Sequence, residues 1–100
     1  MTILDEHIND IKKLCSEHKV KQLFAFGSVL TEKFNKDSDV DLVVDFEPID
    51  VLSYADNYFD FKFSLQEVLN RLVDLLEEKA IKNAYFRQAI NLQKRLIYGY

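Results

Sequence analysis

The stretch FAFGSVLTEKFNKDSDVDLVVDF, residues 24–46, joins an apolar run, a Gly-Ser pair, a polar loop and a second apolar run that carries aspartates. The chain has only two glycines, and one of them, Gly27, stands directly after the first run. Asp37, Asp39, Asp41 and Asp45 lie in and just before the second run, where a carboxylate loses hydration and needs a compensating partner.

On either side of Gly27 the pattern is that of strands. VKQLFAF (Val20–Phe26) is short, aromatic and stopped by glycine, and VDLVVDF (Val40–Phe46) is β-branched and stopped by Glu47-Pro48. Upstream, Thr2-Ile-Leu-Asp5 is a capping pattern, and Leu4, Ile8, Ile11, Leu14 and Cys15 recur at helical spacing, which predicts one amphipathic helix ending near His18. Residues 29–38 are polar apart from Val29, Leu30 and Phe34, with room for a short helix before a turn at 35–38. Downstream, Tyr54, Tyr58, Phe61, Leu65 and Val68 form one stripe of a helix that starts near Asp50 and is closed by Asn70. LVDLL (residues 72–76) is a third apolar run centred on Asp74. Residues 80–93 return to helical spacing (Ile81, Tyr85, Ala89, Leu92), and RLIYGY ends the chain as a frayed helix or an edge strand. This order predicts an α/β (α+β) fold in which helices pack against a small mixed sheet, with residues 1–100 as a single domain.

Composition agrees. The chain is 100 residues long with a hydrophobic fraction of 48% and 13 aromatic side chains, enough for one core and too short for two. A net charge of −4 excludes a non-specific nucleic-acid binder, which needs a basic face. Lys79, Lys82, Arg87, Lys94 and Arg95 make the last quarter locally basic, which reads first as a solvated helix face and second as a phosphate-binding one. The single cysteine, Cys15, sits on an apolar helix face and reads as core. No internal disulfide can form, no apolar run reaches membrane-spanning length, and no targeting segment is visible, so the expected location is the cytoplasm.

Residues two apart on a strand share a face, so Asp39 and Asp41 present their carboxylates together. Two adjacent anions repel unless a cation lies between them, and oxygen ligands point to Mg²⁺ or Mn²⁺ rather than zinc. His7 and His18 read as ordinary helix residues. Asp37, Asp39 and Asp41 also match the first acids of a calcium-binding EF-hand loop, but Leu42 stands where that loop needs glycine and Pro48 where it needs glutamate. Gly27-Ser28, between a strand and a helix, offers backbone N–H groups and a hydroxyl to a phosphate. Asp74 joins the two acids if the strands are neighbours, which completes a two-metal site.

Gly27-Ser28, ten further residues, Asp39-x-Asp41 and then Val73-Asp74-Leu75 resemble the minimal nucleotidyltransferase (MNT) domains of the DNA polymerase beta superfamily, and the resemblance runs over nearly the whole chain. It implies the palm-like nucleotidyltransferase fold. Asp39, Asp41 and Asp74 would be catalytic metal ligands for two Mg²⁺ ions, with Gly27 and Ser28 on the β- and γ-phosphates of a nucleoside triphosphate. Many members follow the Gly-Ser pair with arginine, whereas this chain has Val29. Lys33 or Lys36 could substitute, against the reading of two solvated loop lysines.

Members of this size resemble the antitoxin halves of two-gene systems, and some transfer AMP from ATP to a tyrosine of an all-helical HEPN ribonuclease toxin. The implied function is therefore a Mg²⁺-dependent protein adenylyltransferase acting on a HEPN partner. The alternative is a non-catalytic nucleotide-binding module that neutralises its partner by contact. Phe59 and Phe63, with Leu52 and Ala55, widen the apolar face of the long helix. Core packing is the expected role; the other is a surface for a partner or a homo-oligomer.

Overall fold

The computed structural model describes residues 3–99, so the capping role expected of Thr2 lies outside the described residues. The elements are α1 (Ile3–Glu6), α2 (Ile8–Glu17), β1 (Val20–Phe26), a 3₁₀ turn (Gly27–Leu30), β2 (Val40–Phe46), α3 (Val51–Leu69), β3 (Val73–Glu77), a second 3₁₀ turn (Glu78–Ala80), α4 (Ala84–Gln93) and β4 (Arg95–Tyr98). The sheet has the order β3-β2-β1-β4. β1 runs antiparallel to both β2 and β4, whereas β3 runs parallel to β2 and reaches it through the α3 crossover.

Alternation along the strands sorts the side chains into two layers. Leu23 and Ala25, Val40, Leu42, Val44 and Phe46, and Val73 and Leu75 face the main core under α1, α2 and α3, where they meet Leu4, Ile11, Cys15, Phe61, Leu65 and Leu69. Burial raises the Cys15 thiol to about 12, which fits a core residue. On the opposite face Phe26 and Val43 pack under Ile90 of α4, with Phe24, Leu76 and Ile81 at the margin.

α3 begins where Asp50 accepts a hydrogen bond from the Leu52 amide and ends at left-handed Asn70, φ 52°. Its inner stripe is the expected one, but Phe59 and Phe63 are not core. They are about half exposed, at 49% and 53%, and stack on one another with ring centroids 6.0 Å apart. The main core is already filled by Phe61 and Leu65, each two residues further along the helix and so on another face of it, and the second stripe points outward.

Other boundaries differ for local reasons. The N-terminal helix breaks at His7, which sits in a turn between α1 and α2. The short helix expected within 29–38 is instead the 3₁₀ turn from Gly27, and the rest of that segment is loop. The last helix starts at Ala84 because the Asn83 side chain accepts from the amides of Tyr85 and Phe86. Of the run RLIYGY, Arg95–Tyr98 form strand β4, which pairs with β1 and covers its edge, and Tyr100 lies outside the described residues.

His18 is buried and holds α2 to α3. Its Nδ1 donates to the Leu14 carbonyl at 2.7 Å and its Nε2 meets the Asp60 carboxylate at 2.6 Å, while Asn57 donates to the His18 carbonyl at 2.8 Å. Its ring also tilts against Phe61, centroids 5.4 Å apart. His18→Ala is expected to cost about 2–3 kcal/mol in urea unfolding. Asp60→Ala should cost less than about 1 kcal/mol, because the carboxylate is 72% exposed and water can replace it. Equal losses would show that the ion contact, and not ring burial, carries the effect.

Candidate active site

Asp41 and Asp74 are directly paired residues on the neighbouring parallel strands β2 and β3. Register partners share a face, so both carboxylates project on the α4 side of the sheet. The next pair on that face, Val43 and Leu76, belongs to the apolar layer at Ile90. The acids therefore lie just past the edge of the cover that α4 provides. Asp39 precedes β2 by one residue; it and Asp74 are exposed, and Asp41 is half-buried. Burial first, and then the charges of Asp74 and Asp39, hold the Asp41 carboxyl above its ordinary value of 3.8. Two residues distant from each other in sequence, Asp39 and Asp74, thus act on the Asp41 carboxyl.

Gly27 ends β1 next to Phe26, the cross-strand partner of Asp41. Its φ is +75°, a left-handed value that glycine adopts without penalty, and a Cβ built there would come within 2.7 Å of Asp41 Oδ2. The backbone angle favours glycine, and the contact means that any side chain there would push the Asp41 carboxylate aside. The pair Gly27-Ser28 is half-buried and open to solvent, and the Ser28 carbonyl accepts from the amide of Thr31 at 2.9 Å and from its hydroxyl at 3.0 Å. The turn that would cradle a phosphate is thus placed against the acid meant to face it.

Val29, where an arginine was the family expectation, is 2% exposed and part of the main core. A cation for a triphosphate must then come from elsewhere. Lys33 lies in the exposed loop beyond the turn, its amide bonded to Thr31 Oγ1 at 3.1 Å, and Lys36 is also exposed. Neither side chain is drawn to the acids by a contact among the described residues. Asp45, on the same face but at the far end of β2, pairs with Lys79 at 3.7 Å. Asp37 stays in the loop, its amide bonded to the Asn35 side chain at 2.8 Å.

The donor set is all carboxylate, suited to a hard divalent cation. The three acids share one face and one electrostatic field. Among the described residues, however, no group of three His, Cys, Asp or Glu side chains is gathered closely enough to enclose an ion as it stands.

Sequence reading passed over the supports behind this face. Tyr58 of α3 donates its hydroxyl to the Leu75 carbonyl, one residue after Asp74, and Gln66 accepts from the Val73 amide at 3.0 Å, one residue before it. In sequence Tyr58 belongs to the apolar stripe of the long helix and Gln66 is an ordinary polar position, and only the packing of α3 beneath β3 gives them this role. Among the described residues no helix is long and apolar enough to cross a membrane.

Comparison with known proteins gives the family and the fold. The family model of the nucleotidyltransferase domain matches residues 8–98. A Methanocaldococcus jannaschii protein named as a candidate protein adenylyltransferase is 32% identical over 87 residues, 87% of this chain and 84% of its own length. The solved structure of a candidate minimal nucleotidyltransferase superposes with a TM-score of 0.77 at 26% identity, covering 95% of each chain. A complex of the tri-AMPylated Shewanella oneidensis HEPN toxin with its MNT antitoxin contains a chain that superposes with a TM-score of 0.67 at 21% identity, over 96% of this chain and 72% of that one, a likeness of fold alone.

Proposed function

Since the chain belongs to the nucleotidyltransferase domain family, we propose that it is a Mg²⁺-dependent protein adenylyltransferase that moves AMP from ATP to a hydroxyl of a HEPN-type toxin and so acts as its antitoxin. The observation that carries this reading is the pairing of Asp41 with Asp74 across parallel strands, beside a left-handed glycine whose added Cβ would crowd the Asp41 carboxylate. The adenylyl and toxin parts rest on the names of the relatives.

Asp39, Asp41 and Asp74 would hold Mg²⁺ or Mn²⁺, and Gly27, Ser28 and Lys33 would hold the triphosphate. A bound divalent cation supplies charge neutralisation for the carboxylates and the phosphates. In the transfer the acceptor hydroxyl oxygen bonds to the α-phosphorus, the bond from that phosphorus to the αβ-bridging oxygen breaks, and pyrophosphate leaves. The hydroxyl proton passes to a carboxylate oxygen of Asp74, the most exposed strand acid and thus the one an incoming acceptor can reach. The Gly27–Leu30 turn would meet the β- and γ-phosphates through its backbone amides, and Asp41 would act on the α-phosphate only through a bound cation.

The test is incubation of the purified chain with its toxin partner, Mg²⁺ and α-labelled ATP. Label is expected on the partner and lost in Asp39→Ala/Asp41→Ala. Neutralisation of the toxin without label, equal for wild type and variant, would reject the enzyme in favour of a binding module.

A further inference from the structure

Arg71 makes contacts that neither the sequence pattern nor the proposed chemistry accounts for. It stands in the short connection between α3 and β3, three residues before Asp74. Its guanidinium Nη1 donates to the carbonyls of Asn35 at 2.6 Å and Ser38 at 3.2 Å, and its Cζ lies 4.6 Å from the centroid of the Phe34 ring. All three partners belong to the loop that leads from the Gly27 turn into β2, whose next residue is Asp39.

That loop is closed on itself at the same place. The Ser38 amide donates to the Asn35 carbonyl at 3.0 Å, and the Asn35 amide donates to Ser38 Oγ at 3.1 Å. One residue beyond Asp39, the Val40 amide donates to the Leu72 carbonyl at 3.0 Å. Asp39 is thus bracketed: the residue before it is held by the Arg71 side chain and the residue after it by the backbone of Leu72. Its own carboxylate is exposed and has no such support among the described residues. Because residues 71 and 72 also begin the segment that carries Asp74, one dipeptide sets the spacing between two of the three acids.

The guanidinium does this from the far side. Arg71 lines a shallow groove with Ile3, Glu6 and Val29, which belong to the α1 side of the sheet, whereas the carboxylates project on the α4 side. Among the described residues Arg71 forms no ion pair with a carboxylate, so its charge is spent on carbonyl oxygens and an aromatic face, contacts that a planar fork makes and an ammonium does not reproduce.

We infer that Arg71 is a positioning residue: it fixes the loop that delivers Asp39 and thereby sets the affinity of the acid cluster for a divalent cation. This rests on the metal-site reading above. The test uses the full chain, first free of metal. Amide hydrogen exchange at residues 36–40 should rise at least about tenfold in Arg71→Ala while β1 and α3 keep their protection. Mn²⁺ titration followed by electron paramagnetic resonance should then give a dissociation constant about 10–100 times weaker in Arg71→Ala, and Arg71→Lys should fail to restore it. Unchanged exchange at 36–40, or full restoration by lysine, would overturn the inference. So would a lowered thermal midpoint with Mn²⁺ affinity retained, since that marks a structural role alone. A wild type that binds no Mn²⁺ rejects the metal site itself, and with it the affinity role given to Arg71, whereas unchanged exchange with Mn²⁺ binding intact rejects Arg71 alone.

Discussion

Asp41→Asn is expected to raise the thermal midpoint of the protein and at the same time to abolish adenylyl transfer. The two effects have one cause. Asp41 is half-buried beside two like charges, so its ionised form is disfavoured in the folded chain and its carboxyl titrates above 3.8. A raised native value means that the folded state binds protons more tightly than the unfolded state, so stability falls as pH rises through the interval above 3.8 and stays reduced beyond it. Asparagine removes that penalty. The gain in midpoint over wild type should therefore be absent in strong acid, appear as pH rises past the ordinary carboxylate range, and be complete at neutral pH. Mg²⁺ should stabilise the wild type at neutral pH, lose that effect in acid, and do little for the variant. Transfer should drop by about a thousandfold or more, near 4 kcal/mol of transition-state stabilisation. Calorimetry across pH with and without Mg²⁺ checks the first part and the labelling assay the second. An Asp41→Asn protein less stable than wild type at neutral pH would mean that Asp41 is already neutralised by some other group.

Gly27→Ala should be the most damaging change that adds a single carbon. At φ +75° an L residue carries a cost of about 1–2 kcal/mol, and the new methyl would sit 2.7 Å from Asp41 Oδ2, adding on the order of 1 kcal/mol or forcing the carboxylate aside. A displacement of about 1 Å at a catalytic group is enough to lower the rate about a hundredfold. The double variant Gly27→Ala/Asp41→Ala separates the two contributions, because without the Asp41 side chain only the backbone cost remains. Denaturant unfolding should give a coupling energy between the two sites of roughly 1 kcal/mol. Strict additivity would show that the glycine and the aspartate do not approach as closely as the structure has them.

Much of this was legible in the amino-acid order. The strands at Val20–Phe26 and Val40–Phe46 carry apolar runs stopped by glycine and proline, and Asp50 and Asn70 mark the ends of α3 by local chemistry that needs no tertiary partner. The Gly-Ser pair and Asp-x-Asp could be read because each lies within a few residues of chain. Less of the α4 region was legible. Its start depends on the Asn83 cap, and RLIYGY is as compatible with a frayed helix as with a strand until β1 offers an edge to pair with. Phe59 and Phe63 were misread as core because helical spacing gives a side chain an angle on the helix but does not say which angle faces the sheet.

Three things were decided only by the tertiary structure. The parallel register that sets Asp74 beside Asp41, the 2.7 Å at which a Cβ on Gly27 would meet Asp41 Oδ2, and the reach of Arg71 to the Asn35 and Ser38 carbonyls all join residues distant in sequence. Local propensity sets the kind of each element, whereas the register and separation between elements depend on which apolar faces bury one another. The sequence by itself therefore determined which groups could do chemistry; the packing of α3 and α4 against opposite faces of one sheet decided where those groups meet.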